Sequence, residues 1–447
     1  MAAEVGSPAW SRTGARIVRT GHTAKVGYAC TSGPWGTPGD AHMTDAALPT
    51  AQADRIGEVD IIRGFALFGV LWMNVFGMGD FLVPSDKIHG LTQLETLEKV
   101  VGYLSGLLMA GKAQALFSLL FGFGFAIMMD RIGTRGGDGP KVYLRRVLVL
   151  LALGVAHASL IWAGDILNAY AAMGLLLMLT RRWSVRWLLA AGVTLAILAP
   201  MAVMIFYQLT TPAGQPPAFV PMFEAASEAR WPIIMGRDYP AFVVAMFRTL
   251  FTEFYTQPIA LAYFGAILGR FLIGSWIYRQ GWLQQPGRYV TGFALVAATF
   301  IPLGLLIGLR RSMMVAMELE PAPWAAGFIR GLGPTSELIQ AIGYGALLVI
   351  LCQSPPVRRF LSGLGSVGQM ALTNYLTQSV FFFVFLYGFG FGLLPWMGPT
   401  LSLAFAIVVF ALQVAFSRWW LARYAYGPAE WLWRWATYGV KPALKRG

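Results

Sequence analysis

Residues 143–180 read YLRRVLVLLALGVAHASLIWAGDILNAYAAMGLLLMLT, two long apolar runs on either side of the dipeptide Gly164-Asp165. A helix that crosses the hydrocarbon core of a bilayer needs about 20 mostly apolar residues. We therefore predict membrane-spanning helices at 143–163 and 166–180, joined by a tight turn at the Gly-Asp pair.

Similar apolar runs recur along most of the chain. Of the 447 residues, 57% are hydrophobic and only 12% are charged, whereas a soluble domain carries about 25% charged residues. The chain is therefore predicted to be an all-α, polytopic helical membrane protein with about ten transmembrane helices. The predicted spans are 61–82, 112–130, 143–163, 166–180, 185–208, 257–278, 289–309, 336–353, 366–387 and 399–420.

The net charge of +13 comes from Lys and Arg residues that lie mainly in short segments between the apolar runs. These basic segments alternate along the chain with loops that are balanced, acidic or uncharged. The positive-inside rule places the basic segments in the cytoplasm. We therefore predict a protein of the bacterial inner (plasma) membrane with both termini cytoplasmic, and no nucleic-acid partner.

The remaining composition leads to predictions about domain organisation. Residues 1–54 are predicted to be a disordered leader, because the first 42 are polar and lack the apolar run of a signal peptide; Met43 is an alternative start. Residues 55–447 are predicted to form a single membrane-embedded helical domain, in which 209–256 is an extracytoplasmic cap. Two cysteines and four scattered histidines predict neither a disulfide framework nor a metal site.

Polar residues within apolar spans are costly, and by default they face the interior of the bundle or a water-filled cavity. In the first span, Asp60 and Arg63 are three residues apart, a favourable spacing for opposite charges on a helix, and Asn74 follows eleven residues later. Two interpretations follow. Either Asp60 and Arg63 cap and anchor the helix, or Arg63 binds a phosphate or carboxylate group at the cytoplasmic face.

The histidine of the third span is the leading candidate for acid–base chemistry. His157 lies about two turns before Asp165 in the stretch GVAHASLIWAGDILN, and a neutral imidazole can act as a general base. Asp165 either caps the fourth span or orients His157. His157 itself either makes an interhelical hydrogen bond or acts in catalysis or proton relay, and His89, in the first outer loop, is the rival base.

Two other spans carry polar side chains. Arg270 falls in the middle of the sixth span, where an unpaired charge costs several kcal/mol. It therefore needs a partner such as Asp165 or Glu253, or a wet cavity. Asn374 and Gln378 are four residues apart in the ninth span, and their shared face either bonds to a neighbouring helix or lines a substrate site.

Six stretches of the sequence carry a family resemblance. They are VDIIRGFALFGVLWMN at 59–74, GKAQALFSLLFGFGFA at 111–126, GVAHASLIWAGDILNAYAAMGL at 154–175, AIGYGALL at 341–348, GQMALTNYLTQS at 368–379 and YGPAEWLWRWATY at 426–438. In this order they are similar to the YeiB-like family of bacterial membrane proteins, whose domain is of unknown function. The resemblance covers essentially everything after residue 55 and implies a polytopic membrane fold with no established reaction.

The first span also carries the pattern D-x-x-R-G…N, formed by Asp60, Arg63, Gly64 and Asn74. This pattern is similar to the first span of transmembrane acyltransferases of the heparan glucosaminide acetyltransferase type. That resemblance implies transfer of an acyl group from cytosolic coenzyme A to an acceptor across the membrane, with a histidine as the base. In those enzymes the histidine follows the Asn-bearing span, which corresponds here to His89.

An acyltransferase-like membrane protein is the leading interpretation. Its partners would be the lipid bilayer, an acyl-CoA cosubstrate, and a small acceptor with a hydroxyl or amine group; no firmly bound cofactor is predicted. His157 and Asp165 are the predicted catalytic residues. The predicted substrate-binding residues are Asp60, Arg63, Asn74, Lys112, Asn374 and Gln378.

Two other classes of function remain open at this point. One is a permease for a small polar or anionic solute, in which His157 and Asp165 relay protons. The other is a non-catalytic membrane scaffold.

Overall fold

The computed structural model describes residues 56–134, 138–212, 215–316 and 325–446. Throughout these ranges the regular structure is helical, and strand-like pairing is limited to one bridge between Tyr424 and Lys445. The predicted all-α fold is confirmed. The predicted leader, residues 1–54, lies outside the described residues.

The principal helices within these ranges are numbered in chain order. They are α1 (Gly57–Phe76), α2 (Glu95–Leu108), α3 (Lys112–Thr134), α4 (Gly139–Leu160), α5 (Leu167–Leu179), α6 (Val185–Thr210), α7 (Phe219–Ile234), α8 (Tyr239–Phe247), α9 (Ile259–Gln280), α10 (Val290–Ala316), α11 (Ala326–Leu351), α12 (Pro355–Gln369), α13 (Ala371–Phe381), α14 (Pro399–Leu421) and α15 (Pro428–Tyr438). Short π-helices continue α8 through Arg248–Phe254 and α13 through Phe382–Leu386.

Eight helical segments in the described ranges are long and apolar enough to cross a membrane. They are α1, the α2–α3 pair, α4, α6, α9, α10, α11 and α14. The protein is therefore a multi-pass membrane protein. Helices are present at all ten predicted spans, but α5 and α13 are too short to cross the hydrocarbon core of a bilayer, which is about 30 Å thick. The 13 residues of α5 extend only about 20 Å.

Helix α1 lies at the centre of the bundle that holds the site. It packs against α3, α12, α13 and α14, while α4 packs on α5 and α15. A second group of helices is formed by α6, α9, α10 and α11, and α9 and α11 also contact α3. The predicted cap segment, 209–256, contains α7 and α8, of which α8 packs on α4.

Two glycines bring α1 and α12 together beside the first pair of candidate residues. A Cβ atom on Gly64 would lie 2.0 Å from the carbonyl oxygen of Leu364, and one on Gly368 would lie 1.9 Å from that of Asp60. Any side chain at either position would clash with backbone, so glycine permits this approach. It lets the Arg63 guanidinium reach the carbonyl oxygen of Gly368, at 3.4 Å.

Candidate functional site

His157 and Asp165 lie in direct contact inside the bundle. The Nδ1 atom of His157 is 2.9 Å from Oδ1 of Asp165, and the two residues are 5% and 2% exposed. The chain reaches this geometry because α4 ends just after His157 and the turn at Asp165 reverses it into α5. Gly154 lets the two helices meet, since a Cβ atom there would lie 2.4 Å from the amide nitrogen of Asn168.

Asp165 also caps the N-terminus of α5. Its Oδ2 atom accepts hydrogen bonds from the backbone N–H of Asn168, at 3.0 Å, and from the Asn168 side-chain amide, at 2.8 Å. The hydroxyl of Tyr255 donates to the Oδ1 atom of Asn168. The two interpretations of Asp165 are therefore compatible: one carboxylate oxygen caps α5 and the other contacts His157.

Tyr375, on α13, completes this group, which we call the polar cluster (His157, Asp165 and Tyr375). Its hydroxyl donates to Oδ1 of Asp165 at 3.0 Å and accepts from the backbone N–H of Ile166 at 3.1 Å. The ring centroids of Tyr375 and His157 are 5.4 Å apart. The Nε2 atom of His157 is buried and has no hydrogen-bond partner in the part of the chain that the structure describes.

A cavity of about 330 Å³, which we call the basic cavity, lies beside the N-terminal end of α1. The described arginines that line it are Arg63, Arg131, Arg146 and Arg434. Two carboxylates, Asp60 and Glu430, also face it, and Asp60 is paired with Arg63 at 2.6 Å. Because most of the remaining wall is apolar, the basic cavity suits an anion that carries an apolar arm.

A second cavity of about 320 Å³ lies beside the C-terminal end of α1. Its polar side chains include Asn74, Gln114 and Asp165. Its aromatic side chains are Phe81, Trp162, Phe254 and Tyr263. We call it the aromatic cavity; it differs from the first in having no Lys, Arg or His among its described lining residues.

The polar cluster separates the two cavities. Tyr375 and Tyr170 line the basic cavity, Asp165 lines the aromatic cavity, and Ile166 lines both. His157 lines neither and contacts them through its partners. The two cavities therefore approach the same carboxylate–tyrosine pair from opposite ends of α1.

Helix α15 covers part of the basic cavity and is held there by Glu430. The Oε1 atom of Glu430 accepts the backbone N–H groups of Leu372, at 2.6 Å, and Thr373, at 3.1 Å, and so caps α13 from another helix. Burial raises the pKa of the Glu430 carboxyl above its ordinary value. The guanidinium of Arg146 stacks on Trp433 of α15 with a centroid distance of 3.6 Å.

Several predicted substrate-binding residues face neighbouring helices instead of the cavities. Asn374 donates to Ser417 Oγ at 3.0 Å, and Gln378 donates to Gln413 Oε1 at 3.0 Å, so both join α13 to α14. These contacts match the interhelical alternative. The Nζ atom of Lys112 donates to the carbonyl of Gly106 at 2.8 Å, and Lys112, Asn374 and Gln378 line neither cavity.

Arg270 has a different partner from those predicted. Its guanidinium lies 3.0 Å from Oε2 of Glu337, on α11, and also contacts Gln114. Glu253 is instead paired with Arg230. Glu337 lies at the very start of the predicted span 336–353, whereas α11 begins at Ala326, so Glu337 lies well inside the helix and reaches Arg270.

His89, the rival base, is an exposed residue in the segment after α1. Its ring packs edge-on against Trp396, with centroids 6.4 Å apart, and it lines neither cavity. The geometry therefore groups His157, not His89, with Asp165.

Tyr375 and Glu430 were absent from the predicted site residues. Both lie in stretches that carry the family resemblance, and Glu430 is a charged residue flanked by Ala429 and Trp431. That environment is a usable signal for a buried polar contact, although it does not identify the partner.

Comparisons with known proteins identify a matching family model and several relatives, none of which carries a described activity. A family model described as "Protein of unknown function (DUF418)" matches residues 277–440. The chain is 29% identical over 411 residues to the uncharacterized protein YeiB of Escherichia coli (strain K12), with 88% of this chain and 99% of YeiB covered. The chain is therefore similar to YeiB over most of its length, in agreement with the resemblance carried by the six stretches. It is also 29% identical over 413 residues to the uncharacterized protein YxaH of Bacillus subtilis (strain 168), with 87% of this chain and 96% of YxaH covered.

These comparisons establish no activity for this chain. A third relative, an uncharacterized 39.9 kDa protein in the amylase 3′ region of Bacillus acidopullulyticus, is 28% identical over 393 residues, with 88% of this chain and 96% of the relative covered. Fold likeness alone does not imply a reaction, so the function must be argued from the two cavities and the polar cluster.

Proposed function

We propose that this protein is an acyltransferase that passes an acyl group from a cytosolic acyl-CoA to an acceptor on the opposite side of the membrane. The observation that carries the proposal is the position of the polar cluster between the basic cavity and the aromatic cavity. A donor and an acceptor that enter from opposite sides would meet at Asp165 and Tyr375. The predicted inside-positive topology would open the basic cavity to the cytoplasm.

The basic cavity would hold part of the donor. Arginine is suited to phosphate because its planar guanidinium can donate two parallel hydrogen bonds. Arg63, Arg146 and Arg434 would contact the phosphates near the mouth. The apolar wall behind them would hold the pantetheine arm and direct the thioester toward Tyr375.

The polar cluster would transfer the proton that the acceptor loses in the reaction. The acceptor heteroatom forms a bond to the acyl carbon, the carbon–sulfur bond of the thioester breaks, and the proton lost by the acceptor ends on the sulfur of coenzyme A. Asp165 would accept that proton with His157 as its partner, since the two are already 2.9 Å apart. Tyr375 would hand it toward the leaving sulfur, because its hydroxyl contacts Asp165 and faces the basic cavity.

A permease for a small polar solute is the second candidate, and one observation favours it. His157 lines neither cavity, and its Nε2 atom is enclosed. It is therefore placed to exchange a proton with Asp165 rather than with a bound acceptor. Two cavities on either side of a polar divide are also the arrangement of a closed gate between two access routes.

Calorimetric binding of acetyl-CoA to the purified protein tests the leading proposal. We expect binding that weakens about ten- to hundredfold in Arg63→Ala, because a charge-assisted contact is lost, and that persists in His157→Ala. Arg359→Ala is the matched control, since Arg359 is exposed on α12 and does not line the cavity. Failure of well-folded protein to bind acetyl-CoA or a longer acyl-CoA would reject the acyltransferase and favour the permease.

A further inference from the structure

The aromatic cavity has the chemistry of a cation site. Four aromatic rings surround it, and Asp165 is the acidic side chain among its described lining residues. Aromatic faces attract ammonium groups through their quadrupole. The opposite cavity has the reverse balance, with four arginines against two carboxylates, so the two cavities select ligands of opposite charge.

The arginines that lie just behind the aromatic cavity do not reverse this preference. Arg270 contacts the lining residue Gln114, but it is paired with Glu337 at 3.0 Å. Arg230 donates to the backbone carbonyl of the lining residue Phe81, and it is paired with Glu253. Each arginine is matched by a glutamate, so neither opposes a cation in the cavity.

Asp165 contributes a carboxylate to the wall of the cavity, and one of its oxygens lies 2.9 Å from Nδ1 of His157. Asn168 and Tyr375 are neutral donors to it, and neutral donors orient a carboxylate without cancelling its charge. A cation held by the rings would interact with it through space in a medium less polar than water.

Asn74 supplies a second polar contact. Its side-chain amide makes no hydrogen bond to another residue of the described ranges and lines the cavity at the C-terminal half of α1. The amide oxygen can accept from an N–H or O–H group of a ligand, and the amide nitrogen can donate to an oxygen. The cavity therefore fits a small molecule that bears both a cationic and a polar group.

We propose that the aromatic cavity binds a small organic cation, with an ammonium group held among Trp162, Phe254 and Tyr263 and attracted by Asp165. The proposal of cation binding depends only on the charges and aromatic rings of this cavity. The further assignment of this cation as the acceptor of acyl transfer, which would be an amine-bearing small molecule, rests on the proposed function above. The proposal excludes an anionic solute as the ligand of this cavity.

Choline and its neutral carbon isostere 3,3-dimethylbutan-1-ol provide a matched pair of probes, because they share one shape and differ in charge. Ethanolamine and ethylene glycol provide a second pair with a smaller head group. In calorimetry with the purified full chain, we expect at least one cation to bind at least tenfold more tightly than its neutral counterpart. Equal binding within a pair that binds, tighter binding of acetate than of either cation, or no binding of any probe would overturn the proposal.

Two variants assign the binding to this cavity. Asp165→Asn removes the charge and is expected to abolish the preference for the cation. If that variant does not fold, Phe254→Leu still tests the aromatic contribution and should weaken cation binding at least threefold. Phe223→Leu is its matched control, because Phe223 packs 6.4 Å from Phe254 but does not line the cavity; an equal loss in both variants would overturn the assignment.

The test is independent of the acyl-CoA experiment. Arg63→Ala lies in the basic cavity and should leave cation binding unchanged. Cation binding without acetyl-CoA binding would reject the acyltransferase while supporting this site. Acetyl-CoA binding without cation binding would reject the site alone.

Discussion

The buried ion pair between Arg270 and Glu337 permits a quantitative test of how a mid-span charge is tolerated. Arg270 is 2% exposed, whereas the side chain of Glu337 is 25% exposed. Removing one member of a buried pair costs about 3–5 kcal/mol because the other charge remains buried. Replacing both by apolar residues of similar volume is often nearly neutral.

These exposures predict an asymmetric double-mutant cycle. Glu337→Leu should lower the free energy of unfolding by about 3 kcal/mol, since Arg270 keeps only Gln114 and a carbonyl as partners. Arg270→Met should lower it by about 1–2 kcal/mol, because water can reach Glu337. The double variant should lie within about 1 kcal/mol of the original protein, which corresponds to a coupling energy of at least about 3 kcal/mol.

Reversible unfolding in mixed micelles of dodecyl sulfate and a non-ionic detergent measures all four proteins. The exposed pair Lys99 and Glu95, at 74% and 73% exposure, is the control and should give a coupling energy below about 0.5 kcal/mol. A double variant that loses the sum of the two single losses would refute the argument. It would show that the two charges are solvated independently and that the pair does not explain Arg270 in an apolar span.

Three other predictions concern packing, the C-terminal helix and the polar cluster. Gly122→Ala should destabilise the protein by about 1–3 kcal/mol or more, because the added Cβ atom would lie 1.9 Å from the carbonyl oxygen of Phe271. Gly124→Ala is the control and should be neutral in the same unfolding assay, because no heavy atom lies within 4 Å of its added Cβ atom. The raised pKa of Glu430 means that the protonated carboxyl favours folding, so its stabilising contribution is present below the ordinary carboxyl pKa and is lost as pH rises through the raised pKa. The melting temperature of Glu430→Gln minus that of the original protein should therefore increase as pH rises. A difference that stays constant with pH would contradict this. If the proposed acyl transfer occurs, Tyr375→Phe should reduce its rate about tenfold or more while leaving acetyl-CoA affinity nearly unchanged. A change confined to affinity would contradict the proposed role of Tyr375 in proton transfer.

Local composition was sufficient to predict the fold class. The hydrocarbon core requires long apolar helices wherever the chain crosses it, and each segment meets this requirement through its own composition, independently of the others. Helices therefore appear at every predicted span. The length of α5 and α13 was less predictable, because a helix that packs within the bundle need not match the bilayer.

The contact between His157 and Asp165 was within reach of the sequence because both residues lie on one helix–turn–helix unit, eight residues apart. The sequence could not predict the contacts of Tyr375, Glu430 and Glu337, because their partners lie 210, 58 and 67 residues away in the chain. Periodicity reports which face of a helix is polar, but it does not report which helix that face meets. For this reason the sequence leaves open whether Asn374 and Gln378 bond to a neighbouring helix or line a substrate site, and their contacts with α14 favour the first alternative.

The sequence by itself determined an α-helical membrane protein and the location of its apolar helices, and it placed His157 and Asp165 on one helix–turn–helix unit while leaving their contact as one of two alternatives. Only the tertiary structure decided that the arginines of α1, α3, α4 and α15 line one cavity, that the aromatic side chains line another, and that the polar cluster divides them. The physical reason is that burial in a bilayer acts on each segment separately, whereas a cavity is formed by helices that are far apart in the chain and meet only when the bundle packs.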